Sequence, residues 1–397
     1  MDYRFTEEEE AFRKEVRGFL QEVLPPDWLG VDQDMNNQND FEEVYQLGLE
    51  IRRRLGAKGW LEISWPKEYG GQGASMSNQL ILEEELYCLG VPGYDQPTFG
   101  VCGPIIMQLG TEEQKQRFVL PVARGEVKWA VGMSEPGAGS DFASLQLRAE
   151  EDKDCFILNG QKTWQSGCHM ADWCMLYART GPDLPKNRGI STFLVDLKSP
   201  GITMRRLLFM SGVPAADEVF YENVRVPKEN LLGEKNGGWR VATLSFALDR
   251  FCGFQEILRG KRDFEWLVQY CQETHVKGQP LAKDPLIRNR LAEMATEIEV
   301  GCNLGHRLSW MVTQDMDVAT ESCQLKVLGA SVLQHLANLG MQIFGTYGQL
   351  DEKSKWARLK GRIKHMYLGS PGWSIGGGTS EVSKNFVATV GLGLPRV

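Results

Sequence analysis

The spacing of apolar residues changes character twice along this chain, and that double change limits what it can fold into. From Thr6 to about Gly110 the spacing is helical: Phe12, Val16, Phe19 and Leu20 share one face, and Leu47, Leu49, Ile51 and Leu55 repeat the pattern. Thr6 followed by Glu9 forms a capping box that starts the first helix, and Pro25-Pro26 closes it. From about Val127 to Val226 the signal is that of short strands, among them 174–178, 191–195 and 218–221, spaced as in a compact barrel. Asn159-Gly160 inside 156–164 predicts a hairpin turn. Beyond Gly237 long helical periodicity returns, with helices expected over 238–273, 285–316, 318–345 and 380–391. The expected class is α+β, mainly α, divided at 1–125, 126–230 and 231–397.

A chain of 397 residues, 42% of them hydrophobic, can bury a large core in two or three folded regions. Its net charge of -8, with both signs mixed, leaves no electrostatic footprint for nucleic acid or an anionic membrane. The acidic start, Thr6 and four Glu, carries no apolar leader, and no apolar run is long enough to span a bilayer, so a cytoplasmic protein is expected. Nine Cys without a C-x-x-C pair predict reduced, packed thiols. The five scattered His show no metal-ligand spacing, so no metal site is expected.

Three segments carry chemistry. Met133-Ser134-Glu135-Pro136-Gly137-Ala138-Gly139-Ser140-Asp141 must be a loop, because Pro removes a backbone donor and Gly permits close backbone approach. Trp164-Gln165-Ser166 follows it, and Gly376-Gly377-Gly378-Thr379-Ser380-Glu381 lies near the end. Together, in this order, they resemble the acyl-CoA dehydrogenase family of FAD flavoproteins. The resemblance implies an N-terminal helical domain, a middle β-barrel and a C-terminal four-helix bundle, assembled as a homotetramer or an α2β2 heterotetramer. It implies that Met133 and Ser134 line the flavin, that Trp164 flanks it, that the Ser166 hydroxyl lies near N5, and that Ser140 contacts CoA. Gln342 and Gly345, in Gln342-Ile343-Phe344-Gly345-Thr346-Tyr347-Gly348, resemble the residues that meet the ADP half of FAD in a neighbouring subunit. Thr379 and Glu381 fall on further FAD-contacting positions.

The tail departs from the family pattern. Many members carry a catalytic Glu where Gly377 stands, so the base that removes the substrate's α-proton must come from elsewhere, while the Gly377 N–H can still polarise the thioester carbonyl. Some members place a Glu-Arg pair twelve and thirteen residues into a Gly-Trp-x-Val segment; counted from Gly238, these are Asp249, the candidate base, and Arg250, a candidate substrate contact. Asp95 is a second candidate, because relatives that oxidise alicyclic thioesters use an Asp in this region for 1,4-dehydrogenation of a cyclic enoyl-CoA. The implied reaction converts an acyl-CoA to an enoyl-CoA and passes electrons to an electron-transfer flavoprotein. A non-catalytic subunit of a heterotetramer is the alternative that the missing Glu allows.

Overall fold

A computed structural model describes residues 5–28, 30, 41–314 and 316–395. Asn36–Asp40, a stretch without a functional reading, lies outside them. The described chain forms α1 (Glu7–Val23), α2 (Phe41–Ala57) and α3 (Met76–Cys88). A π-helical segment, Gln96–Cys102, then leads through α4 (Gly103–Leu109), α5 (Glu112–Gln114) and α6 (Leu120–Ala123). Eight strands follow: β1 (Trp129–Gly132), β2 (Arg148–Asp152), β3 (Cys155–Ser166), β4 (Trp173–Arg179), β5 (Ile190–Asp196), β6 (Ile202–Leu207), β7 (Ala216–Pro227) and β8 (Leu231–Leu232). The remainder is α7 (Gly238–Asp249), α8 (Cys252–Glu273), the ribbon β9 (His275–Val276) and β10 (Gln279–Pro280), α9 (Pro285–Thr313), α10 (Ala319–Phe344), α11 (Arg362–Trp373) and α12 (Ser380–Phe386).

Packing divides the chain into two compact units that do not follow chain order. One comprises Asn36–Ser75 and Pro92–Asp249. Its sheet runs β6-β7-β3-β2-β4-β5-β8, with β1 parallel to β4. Phe156, Leu158, Leu176, Phe193, Val219 and Tyr221, from strands across this path, meet in one buried cluster, so the sheet curls around a single core.

The expected hairpin turn at Asn159-Gly160 is absent, because β3 passes straight through it. Gly160, at φ +146°, instead occupies a register shift against β7. The reversal lies one strand earlier, between β2 and β3, where Lys153 takes the left-handed conformation at φ +46° without a glycine.

The other unit comprises 1–35, 76–91 and 250–397. α1 is fixed by its capping box: the Glu9 N–H donates to Thr6 Oγ1, and the Glu9 carboxylate accepts from the Thr6 N–H. Arg13 on α1 then reaches Glu84 and Glu85 on α3, each at 2.8 Å. α8 and α10 cross where a side chain on Gly329 would begin 2.4 Å from the Gly253 carbonyl, so this backbone approach requires glycine. Pro285 sits in the first turn of α9, with Asp284 as its N-cap, as helix rules demand.

The helix expected over 238–273 is two helices, since α7 ends at Asp249 and α8 begins at Cys252. Eight of the nine cysteines are buried, Cys88 is partly buried, and all nine are free thiols. Among the described residues no helix is long and apolar enough to cross a membrane.

Candidate functional site

The loop after β1 is held from below by a buried ion pair. Lys162, on β3, is fully buried and donates to a Glu135 carboxylate oxygen at 2.9 Å and to the Met133 carbonyl at 2.9 Å. The Glu135 carboxylate also accepts the backbone N–H groups of Gln146 at 2.6 Å and Leu147 at 2.9 Å. Every acceptor on this carboxylate is turned to fixing the chain, which is how a buried charge becomes tolerable. Burial pushes the Lys162 ammonium below its ordinary value, with Glu135 opposing that shift.

Directly beyond Lys162 the register of β3 against β7 slips before Gln165. The slip frees the Thr163 N–H from the ladder, and it donates to the Ser134 carbonyl at 2.9 Å. Trp164 is thrown outward at φ +60°, 61% exposed, with its ring edge-on to Phe209 at 5.9 Å. A bulky residue in the left-handed region costs about 1–3 kcal/mol and concentrates at functional sites. The outcome is a wall built from Met133, Ser134, Trp164 and Ser166, with Glu135, Lys162 and Thr163 as its frame. A cleft of about 440 Å³ lies on the loop itself, lined by Glu135, Pro136, Gly137, Ser144, Gly160 and Gln161 among others. Ser140 lies exposed on the same loop.

Both Asp95 carboxylate oxygens have partners within the fold. One oxygen caps the π-helical segment by accepting the Thr98 N–H at 3.0 Å, and the other meets Arg52 at 2.8 Å. Arg52 is itself buried and also donates to the Gly93 carbonyl at 2.9 Å. Asp249 is the last residue of α7 and is partly buried. Arg250 begins the other compact unit, with its guanidinium over the Phe386 ring at 5.1 Å.

Gln342 and Gly345 lie exposed at the end of α10. Thr379 caps α12 by accepting the Val382 N–H at 3.1 Å, and Glu381 stands exposed in that helix's first turn, where the helix dipole favours an anion. Gly377 and Gly378 both have positive φ, +67° and +94°. Positions 377 and 378 thus suit glycine on backbone grounds alone.

The sequence pointed to Met133, Ser134, Trp164 and Ser166, and the fold brings them together. It did not point to Glu135 and Lys162 as partners, or to Arg52 as the partner of Asp95.

Comparisons with known proteins agree along the whole chain. Sequence profiles of the acyl-CoA dehydrogenase N-terminal, middle and C-terminal domains match residues 6–126, 130–224 and 236–392. The chain is 32% identical to the acyl-CoA dehydrogenase FadE26 of Mycobacterium tuberculosis, covering 100% of this chain and 99% of that one. It is 29% identical to the caffeyl-CoA reductase-Etf complex subunit CarC of Acetobacterium woodii, covering 97% and 98%. Among solved structures it is similar to the Tcur3481-Tcur3483 steroid ACAD, at TM-score 0.88 and 31% identity, with 100% of both chains covered.

Proposed function

The chain belongs to the acyl-CoA dehydrogenase family, and from that premise we propose that it is an FAD-dependent enzyme that converts an acyl-CoA to an enoyl-CoA, with Asp249 as the base. The observation that carries this reading is the Trp164 wall: an exposed indole in a strained conformation, beside Ser134 and Ser166, above a buried pair that locks both strands. These residues fit a flat aromatic cofactor, because the frame holds them rigid while the ring face stays open. FAD bound there supplies the hydride acceptor. Met133, Ser134, Trp164 and Ser166 would hold its ring, and Gln342, Gly345, Thr379 and Glu381 its remaining contacts. Ser140 and Arg250 would contact the substrate, and the Gly377 N–H would polarise its carbonyl.

Asp249 is taken as the base from its place twelve residues into the Gly238-Trp239-x-Val241 segment, while the Asp95 oxygens meet Thr98 and Arg52. Removing a substrate proton with Asp95 would require giving up its pair with the buried Arg52, which weighs against the 1,4-dehydrogenation reading. The division at about residues 125 and 230 follows the three profile matches. Relatives described as a paired steroid ACAD and as a subunit of an Etf complex support a tetramer, homomeric or α2β2, that passes electrons to an electron-transfer flavoprotein. The steroid ACAD also supports an alicyclic, steroid-class acyl group.

The test is anaerobic flavin reduction by an accepted acyl-CoA. Asp249→Asn keeps size and hydrogen bonding, and reduction should slow by about 100-fold or more, the scale of general-base loss, with FAD retained. An unchanged rate removes Asp249 as the base. A well-folded preparation that stays colourless after incubation with FAD removes the enzyme reading and leaves the non-catalytic subunit.

A further inference from the structure

Gly377 sits in a short loop rooted at the end of α11, and that end is held by a lysine that has no part in the site described so far. Lys326, on α10, is fully buried. A buried ammonium is costly unless it is hydrogen-bonded, and this one forms no ion pair among the described residues. Its Nζ donates to the carbonyl of Trp373, the last residue of α11. The last four carbonyls of a helix have no partner within it, and in α11 these run from Ser370 to Trp373. Each has a donor: Gln334 Nε2 for Ser370 at 3.4 Å, the Ser374 hydroxyl for Pro371 at 2.7 Å, the Gly376 N–H for Gly372 at 2.9 Å, and Lys326 for Trp373. Of these donors only Lys326 is charged, and a cation there also meets the negative end of the helix dipole.

The anchor is fixed from both sides. A side chain on Gly253 of α8 would begin 2.6 Å from the Lys326 Cα, so the two helix backbones touch at this point. The buried Arg259 guanidinium, also from α8, lies 5.3 Å from the Trp373 ring centre. From Trp373 the chain needs only Ser374, Ile375 and Gly376 to reach Gly377, and the loop is closed at its base by the Ser380 N–H on the Ser374 carbonyl at 2.9 Å. Gly376, Gly377 and Gly378 are three consecutive residues of the most permissive kind, with no side chains to fix the backbone between them. The direction of the Gly377 N–H is therefore set by the roots of the loop.

We propose that Lys326 is the positioning residue for the Gly377 N–H: through the Trp373 carbonyl it fixes one root of a glycine loop that does not hold its own direction. The inference rests on the reading of Gly377 as the donor to the substrate's thioester carbonyl. A donor aimed in advance at the oxygen where charge develops costs no reorganisation during the reaction, and a loosened root forfeits that advantage.

The test uses the FAD-loaded protein and a cinnamoyl-CoA with a para-dimethylamino group, a thioester whose absorption moves to longer wavelength as its carbonyl is polarised. Lys326→Met nearly keeps the side-chain volume and removes the donor. Amide exchange at Gly376 and Ser380, whose N–H groups close the loop, should quicken by about tenfold, the scale of one charged hydrogen bond. The red shift of the bound probe should fall by about half or more, with FAD retained, because the donor at the carbonyl is no longer aimed. Should Lys326→Met fail to fold, Lys326→Gln, which loses the charge on a shorter side chain, is read in its place. Faster exchange with an unchanged red shift makes Lys326 an anchor of the fold alone and overturns the proposal, and so does unchanged exchange. A wild-type protein that leaves the probe's spectrum unmoved refutes the Gly377 reading and the proposal with it. The two failures are told apart, because the wild-type spectrum tests the Gly377 reading by itself.

Discussion

Replacing Lys162 by Met removes the ammonium from beneath the Trp164 wall and nearly preserves side-chain volume. Breaking a buried pair by deleting one partner costs about 3–5 kcal/mol. Here Glu135 would keep two backbone donors, Gln146 at 2.6 Å and Leu147 at 2.9 Å, so the cost should fall at the low end, about 3 kcal/mol. Glu135→Gln should cost more, about 4–5 kcal/mol, because the amide NH₂ would face an N–H or the Lys162 ammonium, donor against donor, inside the core. The order Glu135→Gln worse than Lys162→Met is the informative outcome. Amide hydrogen exchange at Gln146, Leu147 and Thr163 reads it locally, since the acceptors of these N–H groups are the Glu135 carboxylate and the Ser134 carbonyl. Both variants should also loosen FAD. An opening free energy for Lys162→Met within about 1 kcal/mol of wild type, or the reverse order of the two variants, would refute the reasoning.

Asp95→Asn keeps the cap on Thr98 but loses the Arg52 pair, so stability should drop by about 3 kcal/mol in a urea titration while flavin reduction slows less than about tenfold. Gly377→Glu places a side chain at φ +67°, which should cost about 1–2 kcal/mol, and it should raise α,β-dehydrogenation if the Gly377 N–H holds the carbonyl; stopped-flow flavin reduction checks the second point. Glu84 gives a pH signature. Burial pushes its carboxyl up, but His306 at 2.7 Å and Arg13 at 2.8 Å outweigh burial and hold it below 4.5. The unfolded chain therefore binds this proton more tightly, so the stabilisation is complete above pH 4.5 and is lost as pH falls below it toward the folded value. Glu84→Gln should flatten stability against pH in that acid range, measured by circular dichroism.

The helical and sheet regions were legible because apolar spacing responds directly to burial on one face. Local chemistry misled where tertiary packing overrode it. Asn159-Gly160 is a strong turn pair, yet β7 pairs along both sides of it and absorbs Gly160 as an irregularity. The break between Asp249 and Cys252 left no mark, since apolar residues such as Phe246, Phe251 and Phe254 run through it without Pro or Gly before position 253. The residues of the Trp164 wall were legible as motifs, whereas their supports were not. Glu135 and Lys162 are 27 positions apart, and Arg52 sits in a run of three Arg that reads as a solvated helix face.

The nine thiols amount to a built-in clock for unfolding. Burial pushes Cys88 and Cys174 up to about 12, and Cys271 and Cys302 to about 11; it raises Cys102, Cys168 and Cys323 too. The nucleophile is the thiolate, so at these seven positions an alkylating reagent at neutral pH meets almost none while the chain is folded and ordinary, exposed cysteines once it opens. Their positions divide between the units, with Cys102, Cys155, Cys168 and Cys174 in the sheet-bearing one and Cys88, Cys252, Cys271, Cys302 and Cys323 in the helical one. Peptide-resolved alkylation during a denaturant ramp would therefore time the opening of each unit separately, with no label added to the protein.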